Sequence, residues 1–240
     1  MKKLKILLIS LLCLILVCSV AIGIYTSDYY RADTVAVSAT LSNEKVSVTT
    51  ETDDMVVFRP DDPKCGFIFY PGGKVEYTAY APLMNELAEN GIMCVLLKMP
   101  LNLAVLDVNA ADGIAESYPD IKSWYIGGHS LGGSMAASYA SENADKLKGI
   151  VLLASYSTAD LNSTDLKVAS VYGSNDGVLN IEKYNEYKPN LPEATIEAII
   201  DGGCHAYFGS YGTQDGDGIP TITAEEQLKE TVEILKYFLK

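Results

Sequence analysis

Histidine is almost absent from this sequence. Only His129 and His205 occur in 240 residues, so chemistry that needs an imidazole base has two candidates. Basic residues are scarce too. Residues 1–24 hold three of the 18 Lys and Arg and none of the 31 Asp and Glu, which leaves 15 against 31, a net charge of −16, in the remainder. Non-specific nucleic-acid binding relies on clustered cations to displace counterions from phosphates, so nucleic acid is excluded as an expected partner. No CxxC or Cys/His pattern provides a zinc site, and neither a metal nor a cofactor is expected. Repeats and low-complexity tracts are missing, and with 48% hydrophobic and 20% charged residues the chain is not of disordered composition. Three cysteines lie in the body, Cys65, Cys94 and Cys204. An odd number leaves at least one unpaired. Cys65 and Cys94 open two apolar runs, and a bridge between them requires that these runs be neighbouring strands; the plainer reading is small core residues.

One long apolar run is present, at the start. Ile6 to Ile24 is 19 residues without a charge, preceded by Lys2, Lys3 and Lys5. Two readings fit residues 1–24. A secretory signal has a shorter apolar stretch and a small-x-small site, for which Ser19-Val20-Ala21 qualifies. A spanning helix needs roughly 17–25 apolar residues, which suits this run better. The expectation is an anchor in the cell membrane with the body outside the cytoplasm, or a secreted body after cleavage; the three lysines stay cytoplasmic in either case. Residues 25–45, rich in Ser, Thr and Asp, read as a polar spacer before a domain over 46–240.

Within that domain short β-branched and aromatic runs alternate with helical stretches. Strands are predicted at Val46–Thr50, Met55–Phe58, Gly66–Tyr70, Ile92–Leu97, Trp124–Gly128, Gly149–Leu153, Leu166–Tyr172 and Ala194–Ile200. Helices are predicted at Tyr77–Asn90, Ala104–Ser117, Leu131–Glu142, Ile181–Tyr187 and Ala224–Leu239. Several later strands are almost wholly apolar, as strands buried on both faces of a parallel sheet must be. The pattern implies an α/β fold, a mostly parallel doubly wound sheet with helices on both faces, entered by an antiparallel hairpin.

Gly128-His129-Ser130-Leu131-Gly132 has the form G-x-S-x-G between a predicted strand and a predicted helix, which is the setting of a nucleophile elbow. Ser130 is the candidate nucleophile. A glycine-rich turn whose serine merely caps a helix is the plain alternative. A serine hydroxyl needs a base. His129 adjoins Ser130 at a strand end, where successive side chains face opposite ways, so His205, after Ala194–Ile200, is the candidate. A carboxylate should fix its tautomer. Asp176, in the turn after Val168–Tyr172, lies at the same sheet edge and completes the order Ser, Asp, His. Asp160 and Asp165 precede that strand at its wrong end, and Asp201 would have to fold back across two glycines. Two amides should face the developing oxyanion: Leu131, and one from Pro71-Gly72-Gly73-Lys74-Val75, with Gly73 preferred and Lys74 next.

These segments, with Tyr80-Ala81-Pro82-Leu83, Tyr172-Gly173-Ser174-Asn175-Asp176-Gly177 and Gly202-Gly203-Cys204-His205, resemble the α/β-hydrolase superfamily over about residues 46–240. More narrowly they are similar to the small lidless bacterial alpha/beta hydrolase fold-5 proteins, close to dienelactone hydrolases. The resemblance implies Ser130 as nucleophile, Asp176 as acid and His205 as base. It departs from many relatives at Pro71, where a His-Gly pair is common. Only 13 residues, Ala154 to Leu166, occupy the place where many lipases insert a lid. The expected function is a serine hydrolase for carboxylic esters of small or medium acyl groups, acting through an acyl-enzyme on a small-molecule ester. Amide or peptide hydrolysis by the same triad, and a surface binding protein that keeps the fold without turnover, are the alternatives. Gly212–Gly218 offers Asp215 and Asp217 as calcium ligands but is too short for an EF-hand, and reads as a rim loop.

Overall fold

Cys65–Tyr70, Ile92–Leu97, Trp124–His129 and Gly149–Leu153 are buried at every position, so each must be covered on both faces and flanked by other strands. The computed structural model, which describes residues 2–240, places them at the centre of an eight-stranded sheet. In chain order the elements are α1 (Lys2–Ser27), α2 (Thr34–Ala39), β1 (Val46–Thr52), β2 (Met55–Pro60), β3 (Cys65–Tyr70), α3 (Ala81–Glu89), β4 (Ile92–Leu97), α4 (Ile114–Ser117), β5 (Trp124–His129), α5 (Leu131–Glu142), β6 (Gly149–Leu153), β7 (Lys167–Gly173), α6 (Ile181–Tyr187), β8 (Ile196–Ile200) and α7 (Ala224–Phe238). The spatial order is β1-β2-β4-β3-β5-β6-β7-β8. The β1–β2 and β2–β4 pairs are antiparallel and the rest are parallel.

The strands alternate their side chains between two apolar layers. Phe67 and Phe69 join Leu83, Met84 and Leu87 of α3 and Leu235 of α7 on one face. Ile68, Ile126 and Ile150 meet Ala136, Ala137 and Ala140 of α5 on the other. Cys65, Cys94 and Cys204 are buried free thiols, and burial pushes Cys65 up to about 11 and Cys204 up to about 12. They serve as small core residues; in the parallel register Cys94 faces Phe67 rather than Cys65.

One predicted helix does not form. Of Ala104–Ser117 only a short 3-10 turn, Ala104–Leu106, and the four-residue α4 are helical. Asp107, Asn109 and Asp112 are turn formers, and Gly113 takes the left-handed φ of 76°. The hydroxyl of Tyr70 enters this segment, donating to the Val108 carbonyl at 2.7 Å and accepting from Ala111 N–H at 3.0 Å, in place of helical bonds. The predicted helix from Tyr77 begins with a 3-10 turn, Tyr77–Tyr80, before α3, and Gly91 ends it at φ 87°.

Over Lys3–Ser27, α1 is long and apolar enough to cross a membrane; its most apolar 18 residues have a mean hydropathy of 3.0 and none of them is buried against the body. The segment read as a polar spacer packs onto the domain over part of its length. Tyr30 forms a parallel bridge to Val75, and Ala36 of α2 is fully buried. The reason is backbone hydrogen bonding: Tyr30 N–H donates to Lys74 O and Glu76 N–H to Tyr30 O, both at 2.8 Å.

Helix and sheet approach closely at the start of α5, where a methyl group on Gly132 would stand against the Tyr70 and Pro71 carbonyl oxygens. Gly132→Ala is therefore expected to destabilise the fold by about 2–3 kcal/mol, as overpacked cores do, read as a lower midpoint in urea unfolding.

Candidate active site

With β5 ending at His129 and α5 starting at Leu131, Ser130 must make the whole turn between them. It has φ 52° and ψ −122°, a conformation that costs a non-glycine residue about 1–3 kcal/mol and persists only where its surroundings impose it. Here they do. Ser130 N–H donates to Leu153 O at 2.9 Å, and its carbonyl accepts Ser134 N–H at 3.2 Å and the Ser155 hydroxyl at 2.8 Å. Ser155 follows Ala154, itself left-handed at φ 45° and tied by its N–H to Val171 O at 2.7 Å. Nothing in the sequence marks Ser155, because its role depends on β6 lying beside β5.

The next two strand ends deliver Asp176 and His205. Asp176 Oδ2 accepts from His205 Nδ1 at 2.9 Å, and both side chains are only 2% exposed. Asp176 Oδ1 accepts the Val178 and Leu179 N–H groups at 2.8 and 2.7 Å, which turns the carboxylate to face the ring. Donation from Nδ1 leaves Nε2 as the acceptor nitrogen of a neutral imidazole. That Nε2 is buried and has no hydrogen-bond partner among the described residues. Ser130, Leu131, Ala154, Tyr156, Leu179 and His205 line one cavity of about 250 Å³. The larger cavities, of about 860 and 680 Å³, involve neither Ser130 nor His205. Of the competing carboxylates, Asp201 accepts from the Ser174 hydroxyl at 3.3 Å instead.

In the loop after β3, Gly72 N–H donates to the Tyr80 hydroxyl (3.1 Å), Lys74 N–H to Asn102 O (2.8 Å) and Val75 N–H to Gly72 O (3.2 Å). Gly73 N–H has no acceptor among the described residues, and neither does Leu131 N–H at the first turn of α5. The two are neighbours, since a Cβ on Gly73 would lie 3.0 Å from Leu131 Cδ2. The amide of Lys74, the second choice from sequence, is occupied.

His129 points away from the cavity. It is fully buried, with Nδ1 2.8 Å from the Tyr80 hydroxyl. Gly72 N–H donates to the same hydroxyl, so Tyr80 links His129 to the loop after β3. Burial, and then the neighbouring His205, hold the His129 imidazole well below its usual pKa, so it stays neutral. Its ring centroid is 4.4 Å from that of His205. The second histidine thus supports the first from behind and fixes the loop at Gly72.

Asp217, offered above as a calcium ligand, does something else. Oδ1 accepts the N–H groups of Gly177 (3.1 Å), His205 (3.1 Å) and Gly218 (2.8 Å), and Oδ2 that of Ala206 (2.8 Å). Lone pairs directed at amides are not offered to a cation; they tie the Asp176 turn to the His205 turn. Burial raises the Asp217 carboxyl, but these N–H donors outweigh it and leave the pKa below the ordinary range. The Asp-Gly-Asp-Gly signal in the sequence identifies a turn, not its partners.

The model of the alpha/beta hydrolase family matches residues 66–229, well over half of the chain. The chain belongs to the alpha/beta hydrolase family. Family membership bears out the resemblance read from the motifs and the fold class. Among curated proteins nothing matches in sequence. Similar solved structures include a thermostable esterase from Pseudomonas putida, 15% identical with a TM-score of 0.59 over 86% of this chain and 88% of that one. Another is a dienelactone hydrolase from Anabaena variabilis, 14% identical with a TM-score of 0.57 over 82% and 99%. An alpha/beta hydrolase from a sediment metagenome of the Mar Chica lagoon is 14% identical with a TM-score of 0.61 over 80% and 97%. At these identities the likeness to the three concerns the fold alone.

A depressed carboxylate pKa contributes stability that is present above the unfolded value, near pH 4, and is lost as pH falls through the lower folded value. Asp217→Asn is expected to lower the thermal midpoint at pH 7, by the equivalent of about 2 kcal/mol, and the gap from wild type should close as pH drops below about 4. Thermal melts across pH 3–7 check this.

Proposed function

We propose that this protein is a serine hydrolase that cleaves carboxylic esters of small or medium acyl groups through Ser130, His205 and Asp176. The observation that carries the reading is the buried 2.9 Å bond between Asp176 and His205, beside a serine held at positive φ in the same cavity. In this reading His205 Nε2 takes the Ser130 hydroxyl proton as Oγ attacks the ester carbonyl, and Asp176 stabilises the imidazolium. The carbonyl oxygen becomes an oxyanion facing the N–H groups of Leu131 and Gly73, each worth roughly 3–4 kcal/mol of barrier. His205 passes its proton to the departing alkoxide, leaving an acyl group on Ser130. Water then gives its proton to His205, attacks the acyl carbon, and releases the acid as Oγ is reprotonated. The volume supports the size limit: about 250 Å³ is below the roughly 300–1,000 Å³ of pockets that enclose drug-sized ligands.

The apolar helix over Lys3–Ser27, which carries no charge from Ile6 to Ile24 and follows a lysine-rich start, supports a membrane anchor with the catalytic body outside the cytoplasm. If it is one, the protein stays with membranes in alkaline carbonate and is released by detergent.

Ser130→Ala is expected to lower kcat on a short-chain ester by a factor of about 10⁴–10⁶, and Asp176→Asn by about 10⁴. Turnover of the serine variant at the wild-type rate would overturn the reading. A fluorophosphonate probe should label Ser130 in the wild type; an unlabelled serine would instead mark a binding scaffold. Matched ester and amide substrates separate esterase from amidase turnover.

A further inference from the structure

The segment between the apolar helix and α2 lies across the loop that carries Gly73. Lys74, the next residue, has the left-handed φ of 59°, which a lysine holds only if its surroundings enforce it. On one side Asn102 O accepts the Lys74 N–H. On the other, residues 28–33 clasp it. Tyr30 N–H donates to Lys74 O, Glu76 N–H returns to Tyr30 O, and Ala32 N–H donates to Glu76 Oε2 at 3.0 Å. The Lys74 ammonium meets Asp28 at 2.9 Å. The same segment reaches the histidine side of the site. Asp33 N–H donates to Ser210 O at 2.9 Å, the Tyr30 hydroxyl accepts Asp215 N–H at 3.1 Å, and the Tyr30 and Tyr211 rings are 5.6 Å apart.

A passive tether needs none of this. We infer that residues 28–33 are a strap that sets the geometry of the catalytic site, with Tyr30 a positioning residue that holds the Lys74 turn and so aims the Gly73 N–H. The inference rests on the proposed oxyanion role of Gly73, and gives the juxtamembrane segment a function that anchoring does not require. Signal cleavage after Ala21 leaves the strap attached, whereas proteolysis within residues 28–33 removes its hold on the loop. Shedding beyond Tyr30 therefore yields a body whose turnover is about tenfold to hundredfold lower.

The test uses the full chain in detergent, with Tyr30→Pro, which lacks the bridging N–H and the ring, and Glu76→Ala, which lacks the acceptor for Ala32. Glu76→Gln keeps an oxygen acceptor and serves as the rescue. Expected in the first two are a tenfold to hundredfold fall in kcat, of the size that misplacement by about 1 Å produces, and KM within about threefold. The affinity of a trifluoromethyl ketone, whose adduct carries an oxyanion, should fall in parallel with kcat/KM. Amides of residues 72–76 should exchange hydrogen faster, while Glu76→Gln recovers most of the activity. If Tyr30→Pro does not fold, Glu76→Ala decides. Wild-type kcat, inhibitor affinity and exchange in Glu76→Ala would overturn the strap. Wild-type turnover in Ser130→Ala would overturn the proposed function instead, and exchange of residues 72–76 would still report whether the strap holds the loop.

Discussion

A serine is held where a serine does not rest, and most of the site follows from what keeps it there. Ser130 stays at positive φ because its N–H is committed to β6 and its carbonyl to Ser134 and Ser155. Gly132 lets α5 approach the end of β3 closely enough for that turn to close. The same approach leaves the Leu131 N–H free at a helix start and brings it beside Gly73. Strain and unused donors are thus one arrangement: the chain bends sharply, and the bend leaves two neighbouring N–H groups without acceptors among the described residues.

Around this turn the loops are fixed by polar groups that never reach the cavity. His129 and Tyr80 hold Gly72, Asn102 holds Lys74, and Asp217 ties the Asp176 and His205 turns together. Each is a buried or half-buried acceptor or donor matched to a backbone group, and such bonds are costly to leave unmade. Preorganisation of this kind is what electrostatic stabilisation of a tetrahedral intermediate requires, because donors already in place need no rearrangement as charge develops.

The acidic body and apolar helix also bear on where such a site can work. Like charges disfavour an anionic substrate approaching a surface of this sign, although screening within about 8–10 Å limits the effect at ordinary salt. Residues 28–33 join the apolar helix directly to the Gly73 loop, so the site sits within a few residues of that helix rather than at the end of a loose linker.

Much of this was legible in the order of residues. Each of the eight strands appears near its expected position, because apolar runs bounded by turn residues have no other stable place than a covered sheet. Scarcity helped too, since only two histidines occur and His129 faces the opposite side of the strand end from its neighbour Ser130, which left one candidate base. The helix expected over Ala104–Ser117 failed for two reasons: Asp107, Asn109, Asp112 and Gly113 favour turns, a local signal that the apolar pattern obscured, and a tyrosine from a distant strand takes backbone groups of the segment, which no local pattern records. Asp217, Ser155 and Tyr30 were missed for the same reason: their partners are backbone amides and carbonyls of other loops, which carry no side-chain signature. The sequence by itself determined the strand ends, the elbow and the charge, all properties of short segments. Only the tertiary structure decided which amides remain free, which carboxylate faces His205 and what the segment before α2 packs against, because each depends on groups brought together by the sheet.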